Sequence, residues 1–109
     1  MDFNAVDIET LARRLGAELS GDGKIAASNV THDSRQAREG TVFTAIRGLT
    51  MDGHRFVGDV MRRGAAGVIS ELERPVDFEG AWLKVADARE SLAKAASIIS
   101  SVTHGRTAS

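Results

Sequence analysis

The sequence predicts one small α/β domain, with a mixed sheet of about five strands and about three helices. Three observations carry this expectation. Residues 41–46 are rich in strand formers and lie between Gly40 and Gly48. Ile8, Leu11, Ala12 and Leu15 recur at i, i+3, i+4 and i+7, the stripe of an amphipathic helix. From 41 to 69 a strand, a helix and a second strand follow one another, the unit from which parallel sheets are built.

Taken in order, the first helix has Asp7 as its N-cap, Arg13 and Arg14 at the favourable end of its dipole, and Gly16 as a left-handed stop. Residues 17–19 and 25–31 read as a hairpin turning at Gly21-Asp22-Gly23. The strand at 41–46 follows. The second helix places Phe56, Val57, Val60 and Met61 on one face and Arg55, Asp59, Arg62 and Arg63 on the other, with Asp52 as cap and Gly64 as terminator. Residues 67–70 form the next strand, and the right-handed crossover rule puts the intervening helix on one face of the sheet. Residues 71–80, with the single proline Pro75, form a loop, and 82–85 a further strand. Asp87 followed by Glu90 is a capping-box start for the last helix, with Leu92, Ala95, Ala96, Ile99 and Val102 as its apolar face. The segment 103–109 is polar and expected to fray. Phe43, Phe56 and Trp82 fall on apolar periodic positions and read as core.

Composition narrows the function classes. At 109 residues, 42% hydrophobic and 27% charged, the chain has the balance of a soluble globular domain. Fourteen basic and 15 acidic residues give a net charge of -1, so no field favours nucleic acid or an anionic membrane. There is no cysteine, which excludes disulfides and thiolate zinc sites. His32, His54 and His104 lack metal-ligand spacing, so no metal is expected. No secretory leader and no bilayer-length apolar run is evident, so a cytoplasmic protein without membrane insertion is expected.

The polar residues concentrate where strands end and helices begin, the place where α/β sheets take anionic ligands. They read Asp33-Ser34-Arg35, Gly40-Thr41-Val42-Phe43-Thr44-Ala45, Gly48, Asp52-Gly53-His54-Arg55-Phe56 and Gly64-Ala65-Ala66-Gly67-Val68-Ile69. This ordered series resembles the N-terminal domain of the Mur ligases, the ATP-dependent amide ligases of peptidoglycan synthesis. The resemblance extends more loosely through Lys84 to Arg89 and Leu92. Within the family the chain looks most like the branch adding the third stem-peptide residue, diaminopimelate or lysine. The D-alanyl-D-alanine-adding branch is the alternative, as is a non-catalytic interaction module with this fold.

The resemblance implies a domain at 1–103 that binds the uridine diphosphate end of a UDP-N-acetylmuramoyl-peptide. It implies that 104–109 begins a linker to a central domain, which holds ATP and Mg2+, followed by a C-terminal domain. No G-x-x-x-x-G-K-[ST] run occurs in the chain. The 109 residues alone are therefore expected to hold no cofactor, to hydrolyse no ATP and to form no amide bond.

By the same resemblance Ser34 matches the serine that contacts the uridyl nucleotide; the plainer alternative is a turn serine bonding its own backbone. His32 either stacks on uracil or is a solvent-facing strand-end histidine. Leu49, Thr50 and Met51 match the loop lining the uridine diphosphate site. Asp33 is expected to hold the bend in shape, while Arg35 either pairs with it or reaches the diphosphate bidentately. Asp52, Gly53 and His54 read as helix-start chemistry: a cap, a glycine allowing an unusual dihedral, and a ring near the first turn. A catalytic His–Asp pair is disfavoured, because the sequence places no Ser or Cys beside it. Arg62, Arg63 and Arg89 read as solvated helix faces.

Overall fold

The structure is a computed structural model and describes residues 6–47 and 53–104. In chain order its elements are β1 (Val6–Asp7), α1 (Ile8–Leu15), β2 (Glu18–Ser20), β3 (Ala26–Ala27), β4 (Asn29–Thr31), β5 (Thr41–Thr44), α2 (Val57–Arg62), β6 (Gly67–Ser70), β7 (Ala81–Lys84) and α3 (Ala88–His104). Short 3-10 turns occupy Ser34–Gln36 and Gly53–Phe56. The predicted cap Asp52, the strand boundary Gly48 and the tail beyond His104 lie outside the described residues.

The first helix begins where its capping chemistry puts it. The Asp7 carboxylate accepts from the Thr10 N–H at 2.7 Å, and Gly16 closes the last turn at φ 71°. Ile8, Leu11 and Ala12 are buried, the face their spacing predicts.

The predicted hairpin over 17–31 does not form. Its two halves lie at opposite edges of a five-stranded sheet of order β2-β7-β6-β5-β4. β2 runs antiparallel to β7, while β4, β5, β6 and β7 are parallel neighbours, so the sheet is mixed as expected. β3 pairs instead with β1. The turn itself explains the outcome. Gly21, at φ 100°, lies so close to Gly80 that a Cβ on it would stand 2.1 Å from the Gly80 carbonyl oxygen. That approach seats β2 beside β7. The glycine-rich run then serves α1: Ile8 N–H donates to the Ile25 carbonyl at 2.9 Å and Glu9 N–H to that of Gly23 at 2.8 Å. These are donors that a helix start leaves open.

Side chains alternate across the sheet and divide the core in two. On one face Val42, Ile69, Ala81 and Leu83 pack with α1 and α3. On the other Phe43, Val68 and Trp82 pack with Val60 of α2, and with the partly buried Phe56 and Met61. The strand–helix–strand unit is thus present, with α2 on a single face. β5 and β6 are buried throughout, as parallel strands covered on both sides require.

The last helix is rotated from its expected face. Its Asp87 cap is in place, the carboxylate accepting from Glu90 N–H at 3.0 Å. The buried stripe runs Ala88, Ser91, Ala95, Ile98 and Ile99, while Ala96 is exposed and Leu92 is half-buried. A stripe one residue over satisfies the same 3.6-residue period, and alanine does not mark which of two neighbouring faces is apolar. The side chain of Val102 lies outside the described residues. No helix among those residues is long and apolar enough to cross a membrane.

Candidate functional site

All four parallel strands end on the same side of the sheet, and the loops leaving β4, β5 and β7 meet there around a cleft of about 710 Å³. That volume lies within the range of small-ligand sites. The loop after β4 contributes His32, Asp33, Ser34 and Arg35. Ile46, Gly53 and Phe56 come from the connection after β5, and Arg89 and Leu92 from the first turns of α3.

The bend at Ser34 is fixed by its neighbours' side chains. Thr31 Oγ1, buried at the end of β4, accepts from Asp33 N–H at 3.0 Å and donates to Gln36 Oε1 at 3.1 Å. Asp33 caps the short 3-10 turn, accepting from Arg35 N–H at 2.9 Å. The same carboxylate takes both prongs of the Arg35 guanidinium, Nε at 3.0 Å and Nη2 at 2.9 Å. Those bonds hold the Asp33 carboxyl down to about 2. Because the folded value is depressed, the pair is fully formed above the ordinary carboxylate range and weakens as pH falls toward that value.

Asp33 therefore has the structural role expected of it. Of the two readings open for Arg35, the structure has the ion pair, with the side chain otherwise exposed. The Ser34 hydroxyl makes no hydrogen bond among the described residues. Asp33 does the capping, so Ser34 Oγ is not spent on its own backbone. His32 is exposed at the cleft. Leu49, Thr50 and Met51 lie outside the described residues.

Two assignments change, those of Arg63 and Arg89, while Arg62 stays on a solvated helix face. Arg63 is no simple solvated cation: its Nη1 donates to the Ser34 carbonyl at 3.1 Å and its Nη2 lies 3.4 Å from Asp59 Oδ2, so the end of α2 braces the bend from behind. Arg62 also reaches Asp59, at 3.5 Å. Arg89 lines the cleft. Its signal was positional, on the helix that follows a parallel strand, and residue type alone does not show it.

Replacing Arg63 with alanine is expected to release the bend. One hydrogen bond from a charged donor and one surface ion pair are lost, so ligand affinity at the cleft should weaken by roughly three- to tenfold while the thermal midpoint falls by about 4–8 °C. Calorimetry and thermal unfolding on the same preparation read the two effects.

Gly53 serves a different purpose from the one expected. It is not among the positive-φ glycines; the structure needs it for space, because its backbone lies against that of Ile46. His54 does acquire a serine neighbour that the sequence did not show. Its Nε2 is 2.6 Å from Ser70 Oγ, which also accepts from Leu72 N–H at 2.9 Å. Ser70 is fully buried at the end of β6, so this hydroxyl ties the connection after β5 to the sheet and has no access to a ligand. Phe43 and Trp82 are core, as expected, while Phe56 does double duty as partial core and cleft wall.

Known proteins resemble this chain in sequence and fold. A family model described as Mur ligase family, catalytic domain, matches residues 26–106. The UDP-N-acetylmuramoyl-L-alanyl-D-glutamate--2,6-diaminopimelate ligase of Chlorobaculum tepidum is 41% identical over 93 residues, spanning 80% of this chain and 18% of that protein. The ligase of the same name from Clostridioides difficile is 37% identical over 79 residues, 72% of this chain and 16% of that protein. Among solved structures, a crystal structure of MurF from Acinetobacter baumannii matches with a TM-score of 0.72 at 27% identity, covering 95% of this chain and 22% of that one. The chain spans less than a fifth of the length of these curated relatives.

Proposed function

The chain belongs to the Mur ligase family, and on that premise we propose that it is the N-terminal domain holding the uridine diphosphate end of UDP-N-acetylmuramoyl-L-alanyl-D-glutamate, in a ligase that adds the third stem-peptide residue. The diaminopimelate-ligase names of its curated relatives support that branch. The observation that carries the reading is the Ser34 hydroxyl, without a hydrogen bond among the described residues and presented by a rigid bend into a cleft at the carboxyl ends of the parallel strands. A hydroxyl there donates to a phosphate or uracil oxygen without bringing an uncompensated charge.

The domain acts by positioning. Gripping the nucleotide end of a long substrate fixes the distance from there to the reacting carboxylate, and such remote binding energy supports catalysis through orientation. ATP and Mg2+ belong, in this reading, to another domain of a longer protein. The residues present do not fit them: the sequence has no phosphate-cradling G-x-x-x-x-G-K-[ST] loop, and the described residues contain no cluster of three or more metal-ligating side chains. In this reading the 109 residues alone form no amide bond.

Calorimetric titration with UDP and with UDP-N-acetylmuramoyl-L-alanyl-D-glutamate tests the reading. We expect saturable binding of both, weakened about tenfold in Ser34→Ala for the loss of one hydrogen bond to a charged acceptor. No heat at millimolar ligand would reject the assignment. A D-alanyl-D-alanine-adding parent is the second reading, supported by the match to a solved structure named as a D-alanyl-D-alanyl ligase from Acinetobacter baumannii. The full-length ligase decides between them, since the two branches extend a dipeptide and a tripeptide precursor respectively.

A further inference from the structure

The charges around the cleft are unevenly committed. Asp33, its one carboxylate among the described lining residues, is occupied by Arg35. Arg62 and Arg63 are engaged by Asp59, and Arg63 also by the Ser34 carbonyl. Asp87, two residues before Arg89, caps α3 through Glu90 N–H, and Glu90, next to Arg89 in the chain, is exposed with no ion pair among the described residues. Arg89 itself stands on the first turn of α3, exposed, lining the cleft, with no hydrogen bond or ion pair among the described residues. Leu92, one turn further along, forms an apolar wall with Ile46 and Phe56.

The cleft thus combines an apolar wall with a hydroxyl and a positive charge that find no side-chain partner among the described residues. A nucleotide carries the matching set: a flat base, ribose oxygens and an anionic diphosphate. We propose that Arg89 recognises the diphosphate of the bound nucleotide, and that it sets the preference of this site for a nucleoside diphosphate over an uncharged nucleoside. The inference rests on the uridine-nucleotide reading above and assigns the charge selectivity within it. A guanidinium suits the task, since its planar fork matches two phosphate oxygens at once and it stays charged at every physiological pH.

Uridine, UMP and UDP titrated into the chain and into Arg89→Gln and Arg89→Lys separate the contributions. In the wild type, affinity should rise from uridine to UDP and fall as salt is added. Arg89→Gln should weaken UDP about tenfold or more, leave uridine within about twofold, and flatten the salt dependence. Arg89→Lys should recover part of the UDP affinity, because charge returns without the fork. All three proteins should melt within about 2 °C of one another, as an exposed substitution without a packing role requires. If Arg89→Gln binds UDP as the wild type does, with the same salt dependence, Arg89 is a solvated residue and the inference fails while the nucleotide reading stands. If the wild type binds none of the three, the nucleotide reading itself fails.

Discussion

Gly21→Ala is expected to lower the unfolding free energy by about 3–5 kcal/mol, a large share of the ~5–15 kcal/mol that holds a domain of this size together. Two costs combine. At φ 100° an L side chain is strained, at about 1–3 kcal/mol. The new Cβ would also stand 2.1 Å from the Gly80 carbonyl oxygen and 2.8 Å from its carbon. Both are backbone atoms, so β2 must move away from β7 and give up ladder pairing, the equivalent of severe overpacking at about 1–3 kcal/mol. Gly16→Ala separates the two, because φ is 71° there and nothing lies within 4 Å of the added carbon. It should cost about 1–2 kcal/mol, the dihedral part alone. Urea denaturation of both variants gives the comparison. Equal losses would show that the close approach to Gly80 contributes nothing, and with it the account of why β2 sits at this edge.

That same glycine marks the boundary of what the sequence reveals here. Features settled within one turn of chain were legible: the Asp7 and Asp87 caps, the Gly16 stop, and the strand in the β-rich run at 41–46, which ends at Thr44. Gly21-Asp22-Gly23 has the composition of a hairpin turn, but its fate depends on Gly80, some sixty residues away, and on open donors at the start of α1. Local turn chemistry carries no record of either. The candidate site divides the same way. Asp33, Ser34 and Arg35 are consecutive, so the structural role of Asp33 was readable, while the ion pair was only one of two readings open for Arg35. Arg63 and Arg89 reach the bend and the cleft only after the sheet brings α2 and α3 to its carboxyl edge. An arginine on an amphipathic helix looks alike whether it faces water or a ligand.

Substituting Gly53 should affect binding far more than folding. Gly53 N–H donates to the Ile46 carbonyl at 2.9 Å, drawing the 3-10 turn Gly53–Phe56 against the end of β5. A Cβ at this position would lie 2.9 Å from Ile46 N, 3.0 Å from Ile46 O and 3.3 Å from Ala45 Cα. None of these backbone atoms can swing aside as a side chain would. The turn must therefore lift from the strand by some tenths of an ångström, and Phe56, which it carries, forms one wall of the cleft with Ile46. The expected cost to stability is about 1–2 kcal/mol, since the strand and its core contacts stay in place. UDP affinity is expected to fall about tenfold or more in Gly53→Ala and further in Gly53→Val, because a site built on close contact loses orientation with small displacements. Gly58→Ala provides the opposite case. Gly58 is an exposed position within α2, and an added Cβ meets only the flexible end of Arg62, at 3.6 Å. That change should raise stability by about 0.5–1 kcal/mol and leave UDP binding unaltered. Were Gly53→Ala to bind UDP as tightly as the wild type, the wall formed by Ile46 and Phe56 would have no part in holding the nucleotide, and the ligand would have to sit against the Ser34 bend and α3 alone.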